Sequence, residues 1–173
     1  MTPLLHIDRA QRVPVSLDEA FAFFADASNL EAITPPWLRF RILTTQPIVM
    51  AEGTLIDYRL ALRGAPVRWR TRIERWEPAR CFVDRQVEGP FALWEHTHTF
   101  EEQPGGTLIG DRVEYRMPFG TLGRLAHGLI IGRDLERIFD YRHSAVAGLL
   151  GSSRGQRRAD DSLVGLAGGA RCV

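Results

Sequence analysis

Lysine is absent: all 22 basic residues of the 173-residue chain are arginine. There is therefore no lysine for a Schiff base, for anchoring pyridoxal phosphate, or for the phosphate contact of a P-loop. Cysteine is nearly absent. Cys81 and Cys172 are too few for a disulfide framework, and Cys172 sits in a glycine-rich tail, so the expectation is two unbonded thiols and a cytoplasmic protein. The N-terminal stretch MTPLLHIDRAQRVPV lacks a continuous apolar core, which argues against a signal peptide. No stretch approaches the roughly 18 apolar residues of a membrane span, so a soluble chain without membrane insertion is expected. The net charge is only +1, too little for a general field toward nucleic acid or anionic lipid. The length suits one domain with a single sizeable core.

What is present is clear punctuation. Residues 4–13 suit a first strand. In PVSLDEAFAFFAD the spacing of Ser16 and Glu19 predicts a capping box at a helix start, and Ser28 with Glu31 predicts a second one, ended by Pro35-Pro36. Six strand-like runs follow: LRFRILT, GTLIDYRLAL, VRWRTRIERW, CFVDRQV, ALWEHTHTF and TLIGDRVEYRM. Gly53, RGAP, EPAR, EGP and QPGG separate them, and such short connections favour antiparallel neighbours. In VRWRTRIERW, Trp69, Thr71 and Ile73 share one face and the arginines the other, so one side of the sheet is dry. From Phe119 to Leu150 the pattern turns helical, with Ile131, Leu135, Ile138, Ala145 and Leu149 as the apolar stripe. Such a helix would be about 45 Å long. Gly128 and Gly132 share a face in it and weaken its first half. The remainder, 151–173, is expected to be a disordered tail.

Strand, two short helices, six strands and one long helix describe an α+β fold in which a curved sheet wraps a helix. With TPPWLRF, GPFALWEHTHTF and DRVEYRMPFG, residues 3–150 resemble the START-related helix-grip superfamily (SRPBCC), in particular a bacterial ligand-binding or cyclase-like subgroup. The resemblance implies a seven-stranded curved antiparallel sheet around a long C-terminal helix, with two short helices between strands 1 and 2. It also implies a domain over 1–150 and a cavity between sheet and helix for an apolar or amphipathic small molecule.

The stretch WEHTHTF carries the candidate site. On a strand, Trp94, His96, His98 and Phe100 share a face. If the QPGG turn sets Glu102 opposite Thr107, then His98 faces Asp111, His96 faces Val113 and Trp94 faces Tyr115. The preceding turn allows two registers. Asp84 opposite His96 and Gln86 opposite Trp94 is preferred, because the alternative sets Asp84 against Glu95. The ligand-facing wall is then Trp69, Asp84, Gln86, Trp94, His96, His98, Asp111 and Tyr115, with His98–Asp111 expected to pair and His96 to face the ligand. Such groups must pair or meet a cavity, since each one buried unpaired costs about 1–3 kcal/mol.

These residues support a small-molecule binding domain first. An enzyme similar to polyketide cyclases or dehydratases is the alternative, with His96 or His98 as base, Asp84 or Asp111 orienting it, and Tyr115 stabilising an enolate oxygen. A third reading is an accessory partner-binding domain, because relatives in the subgroup occur beside sugar-nucleotide-epimerase-like domains. This chain has no dinucleotide fingerprint, so no such activity transfers. The catalytic candidates are His96, His98 and Asp111; the plainer reading of His98–Asp111 is a satisfied structural contact, and Trp69 and Trp94 could be simple core. A cupin-like metal site from His96, His98 and Glu102 fails on spacing, and Glu102 falls at a turn. Neither metal nor cofactor is expected.

Overall fold

The structure, a computed structural model, describes residues 3–120, 130–151 and 172. Seven strands form one sheet: β1 (Leu5–Val13), β2 (Arg41–Ile42), β3 (Leu55–Leu62), β4 (Ala65–Glu77), β5 (Cys81–Glu88), β6 (Leu93–Gln103) and β7 (Gly106–Arg116). The order across it is β1-β7-β6-β5-β4-β3-β2, antiparallel throughout. Helix α1 (Leu17–Ala25) and two single 3₁₀ turns (Ala27–Leu30 and Pro36–Leu38) lie between β1 and β2, and helix α2 (Gly132–Gly151) follows β7. The helix-grip architecture is thus present.

Local chemistry explains most boundaries. The Ser16 hydroxyl accepts from the Glu19 amide at 3.3 Å while the Glu19 carboxylate accepts from the Ser16 amide at 3.0 Å, closing the expected capping box of α1. The second box does not form. Asp26 takes the cap instead, accepting from the Ser28 amide at 2.9 Å, and Glu31 turns to the Arg41 guanidinium at 2.7 Å. A four-residue turn starting at Ala27 puts Ser28 inside the turn, where its side chain cannot cap it. The strand expected over LRFRILT shrinks to two residues, because Leu38 closes a 3₁₀ turn and Arg39 is left-handed at φ 48°.

The hairpins follow their turns. Arg63 and Gly64, both at positive φ, join β3 to β4 as a two-residue loop, and Pro104-Gly105 joins β6 to β7 with Gly105 at φ 81°. That second turn sets Gln103 opposite Gly106, and with it the whole register of the last hairpin. Bulges between Arg70 and Thr71 and between Ile73 and Arg75 bend β4 against β5 and deepen the curve of the sheet.

Helix α2 buries Leu135, Phe139, Val146 and Leu150, a stripe displaced from the expected one: Leu149 is exposed, at 43%. The stripe is continuous at spacings of three and four only if Arg142 is counted in it, and an arginine there hides the pattern. Toward its C-terminal end α2 shares a core with Phe21 and Phe24 of α1 and with Phe82 and Phe100 of the sheet; toward its N-terminal end it packs with Trp69, Trp94 and Tyr115. The expected start of the helix, with Gly128, falls partly outside the described residues. Phe119 itself is non-helical, at φ 62° and highly exposed.

One expectation is overturned outright. Cys81 and Cys172 are joined by a disulfide, with Cα atoms 6.1 Å apart. The 91-residue separation carries no information on distance; only the fold brings the buried start of β5 within the few ångströms that pairing requires. The argument for a reducing cytoplasm, which assumed free thiols, loses its premise. The rest of the tail expected to be disordered, 152–171 and 173, lies outside the described residues. Among the described residues no helix is long and apolar enough to cross a membrane.

Candidate functional site

Alternation along β6 turns Trp94, His96, His98 and Phe100 to the concave face, where all four are buried. The neighbouring strands set Asp84 opposite His96 and Asp111 opposite His98. With α1 and α2, this face encloses a cavity of about 370 Å³. From Trp94 to His98 its wall changes from aromatic to polar.

The aromatic part is a nest of rings. Trp69 meets Trp94 edge-on at 5.4 Å and lies nearly parallel to Tyr58 at 5.9 Å, and Phe91 closes on both tryptophans. The Trp69 indole N–H donates to the Thr71 hydroxyl at 3.2 Å, so the one polar atom of that ring is satisfied. Burial pushes the Tyr58 phenol far up, so it is a neutral hydroxyl at any ordinary pH. At the rim, the Arg63 guanidinium grips Asp134 on the first turn of α2 through contacts of 2.7 and 3.3 Å, tying the β3–β4 turn to the helix.

The polar part is a compact cluster of Asp84, His96, His98, Asp111 and Arg142. His96 Nε2 lies 2.9 Å from Asp111 Oδ1, and His98 Nε2 lies 3.3 Å from Asp84 Oδ2. Pairing is therefore diagonal: each histidine bonds to the aspartate that is not directly opposite it in the sheet. His98 Nδ1 does approach Asp111 Oδ1 to 2.8 Å, but off the direction of a hydrogen bond, and it has no hydrogen-bond partner among the described residues. We therefore count that approach as charge attraction alone. Phe82 stacks on the His98 ring at 4.2 Å, and Phe24 lies under the Arg142 guanidinium at 5.2 Å. Arg142 reaches Asp111 only at 3.6 Å, and its buried Nε is without a hydrogen-bond partner among the described residues.

Protonation follows from these contacts. Burial opposes charge on Asp111, yet Arg142 and the two histidines hold its carboxyl well below the usual range, so it is ionised. An ionised carboxylate only accepts, which assigns the proton of His96 to Nε2 and leaves Nδ1 with its lone pair. Burial, reinforced by neighbouring His98, holds His96 below the ordinary imidazole range. Burial also pulls His98 down, but Asp111 and Asp84 outweigh it and raise the group. A neutral imidazole beside one that readily carries charge can accept a proton, donate one, or offer nitrogen to a metal.

Of the residues expected at the site, Trp69, Asp84, Trp94, His96 and His98 line the cavity. Asp111 sits behind the histidines, and Tyr115 is buried in the core beside Trp94 and Phe91. Gln86 is diverted: the β5–β6 pairs end at Arg85–Glu95, and its amide folds onto the backbone of Phe91 with contacts of 2.7 and 3.3 Å. Sequence reasoning missed Arg142, Phe139 and the α1 aromatics Phe23 and Phe24. Arg142 had one available signal, its place in the 135–139–142–146 spacing of the buried face.

The fold recurs in solved structures. The Zhui aromatase/cyclase from Streptomyces sp. R1128 superposes with a TM-score of 0.69 at 17% identity, over 86% of this chain and 94% of that one. A START superfamily protein from Mycobacterium smegmatis gives 0.61 at 14% identity, over 83% and 98%. A nucleoside-diphosphate sugar epimerase from Corynebacterium glutamicum gives 0.60 at 20% identity, over 82% of this chain but only 28% of that longer one. No curated protein matches the sequence. A family model described as "Polyketide cyclase / dehydrase and lipid transport" matches residues 13–139, from the last residue of β1 through β2 to β7 and into α2. Since that span holds four of the five clustered polar residues and most of the cavity wall, the chain belongs to this polyketide cyclase/dehydrase and lipid transport family, within the START-related helix-grip fold.

Proposed function

We propose that the protein is a small-molecule binding domain that holds an apolar or amphipathic ligand in the cavity between the sheet and α2. The observation that carries this reading is the cavity itself: about 370 Å³, walled by Trp69, Trp94, Phe91, Leu60 and Phe139 with polar groups gathered in one part. Small-molecule sites commonly enclose about 300–1,000 Å³ with this division between apolar area and a few orienting polar groups. The aromatic nest would take the apolar body of the ligand, and the cluster of Asp84, His96, His98 and Arg142 would orient an oxygen-bearing end. Native mass spectrometry of gently isolated protein tests this. A retained apolar molecule, or saturable binding of an apolar fluorescent probe that Leu60→Trp abolishes, is expected; a cavity that takes neither refutes the reading.

A second reading is favoured by one observation, a neutral His96 in the cavity wall whose Nε2 is held by Asp111, which leaves Nδ1 with its lone pair. A cyclase- or dehydratase-like enzyme would use that nitrogen as base, with Asp111 holding the ring through Nε2, and the aromatase/cyclase neighbour makes this the enzyme class to try first. Asp111 thus becomes a positioning residue, and Tyr115, set in the core, has no part. A kcat loss in His96→Ala with KM and melting temperature held would favour turnover; unchanged turnover of a converted substrate would remove His96 from the mechanism.

A further inference from the structure

The two histidines of β6 use opposite ring nitrogens. His96 presents Nδ1 and His98 presents Nε2 toward the same carboxylate oxygen, Asp84 Oδ2, at 3.8 and 3.3 Å. The three donor atoms all lie within 4.8 Å of one another. In a four-coordinate site with metal–nitrogen and metal–oxygen distances of about 2.0–2.2 Å, neighbouring donors are about 3.3–3.6 Å apart. The two nitrogen–oxygen separations, 3.8 and 3.3 Å, lie at or close to that range.

The remaining ring nitrogens point the other way, and both meet one group. Asp111 Oδ1 lies 2.9 Å from His96 Nε2 and 2.8 Å from His98 Nδ1. A metal-bound histidine nearly always gives its far N–H to a carboxylate, carbonyl or water, which fixes the tautomer and raises the basicity of the bound nitrogen. Asp111 already accepts from His96 in this way, and its 2.8 Å approach to His98 Nδ1 would become the same contact if that ring turned toward it. Asp84, for its part, contacts only these histidines in hydrogen bonds and ion pairs among the described residues.

We propose that Asp84, His96 and His98 form a binding site for a divalent first-row transition ion, with Asp111 as the shared outer carboxylate and the open coordination positions facing the cavity. Two imidazoles and one carboxylate are a donor set for zinc, iron(II) or cobalt(II), and too rich in nitrogen for magnesium or calcium. The charges permit it: two carboxylates, one guanidinium and one divalent ion sum to a single positive charge, which one anionic oxygen from water or ligand would cancel. This departs from the expectation of a metal-free pocket, which followed from rejecting a cupin-like set with Glu102 as third ligand. Glu102 is exposed near the hairpin turn, whereas Asp84 arrives from the neighbouring strand, upstream in sequence. The proposal does not depend on the cavity holding an apolar ligand.

Cobalt(II) titration of chelator-treated full-length protein tests it, because a protein-bound nitrogen–oxygen site gives visible absorption bands that free cobalt at that concentration lacks. One equivalent is expected to bind, to be displaced by zinc, and to be lost in Asp84→Asn and in His96→Gln/His98→Gln. Asp111→Asn should keep the site and weaken it by about 10–100-fold. Each variant is checked for folding by circular dichroism; should the double variant unfold, the single His96→Gln carries the test. Binding no tighter in the wild type than in Asp84→Asn overturns the proposal. Apolar-probe fluorescence on the same samples separates the two readings: probe bound without cobalt sinks this inference alone, and cobalt bound without probe sinks only the binding-domain reading.

Discussion

Removing the Asp111 carboxylate is the most informative perturbation of the cluster. Its side chain is 12% exposed, and that of Arg142 is 11% exposed, so solvent screens neither charge well. Taking away one partner of a buried ion pair strands the other and costs about 3–5 kcal/mol. The His96 N–H that Asp111 accepts would also be left unpaired, a loss of about 1–3 kcal/mol on its own. The terms overlap, and the 3.6 Å Arg142 contact is not a hydrogen bond, so we expect about 4 kcal/mol for Asp111→Ala and about 3 kcal/mol for Asp111→Asn, which keeps an acceptor oxygen. Combining Asp111→Ala with Arg142→Met removes the stranded guanidinium. The double variant should therefore be more stable than Asp111→Ala alone, with a coupling energy of about 2 kcal/mol or more. Equilibrium urea unfolding at constant m-value measures the wild type, the single variants Asp111→Ala, Asp111→Asn and Arg142→Met, and the double variant. A loss below about 1 kcal/mol for Asp111→Ala, with additive double-mutant behaviour, would mean that the cluster is hydrated like a surface pair, and the burial argument would fail.

Other outcomes follow from separate parts of the molecule. Leu60→Trp fills the cavity from β3 and should weaken apolar-probe binding at least about tenfold while stability changes by about 1 kcal/mol or less, read by fluorescence titration and thermal melting. Phe100→Ala, in the ring cluster of Phe21, Phe24 and Phe82, should cost about 3–5 kcal/mol in urea unfolding; a loss near 1 kcal/mol would mean that the cluster repacks. Gly106→Ala drives a methyl group into the Val13 carbonyl oxygen, so an unfolding free energy lowered by about 3 kcal/mol is expected, and wild-type stability would contradict the close approach of β7 to the end of β1. Thiol titration of unreduced, denatured protein should find no free cysteine, and peptide mapping should recover Cys81 linked to Cys172; two reactive thiols would restore the sequence-based expectation.

How far the sequence was legible depends on whether a feature is set locally. Pro104-Gly105 is a local device, and the register it dictates carries His98 to Asp111 and His96 to Val113 as expected. The choice of Asp84 opposite His96 rested on avoiding two facing carboxylates and also holds. What the register cannot say is which nitrogen meets which oxygen. Twist and side-chain rotation bring diagonal neighbours across a sheet into reach, and here they put His96 on Asp111 and His98 on Asp84. Arg142 was passed over for a different reason: despite its place in the buried spacing, a charged residue in an amphipathic helix reads as solvent-facing unless the partners across the cavity are known. The disulfide depends on the approach of residues 91 apart, which no local pattern encodes.

The position of β1 has a consequence for how the chain comes to be folded. It is made first, yet it lies at one edge of the sheet, and its partner β7, from Gly106 to Arg116, is among the last strands made. Strands β2 to β6 each pair with the next in sequence, so that meander can assemble as it emerges. At about 5–20 residues per second, the roughly 100 residues between the paired strands take about 5–20 s to appear, during which β1 has no template. Its burial pattern, with only Ile7 and Val13 fully buried among charged and polar neighbours, suits a strand that must wait in water. In refolding followed by pulsed hydrogen exchange, the amides of β1 should gain protection after those of β4 to β6, and the sheet should close from its centre toward its N-terminal edge.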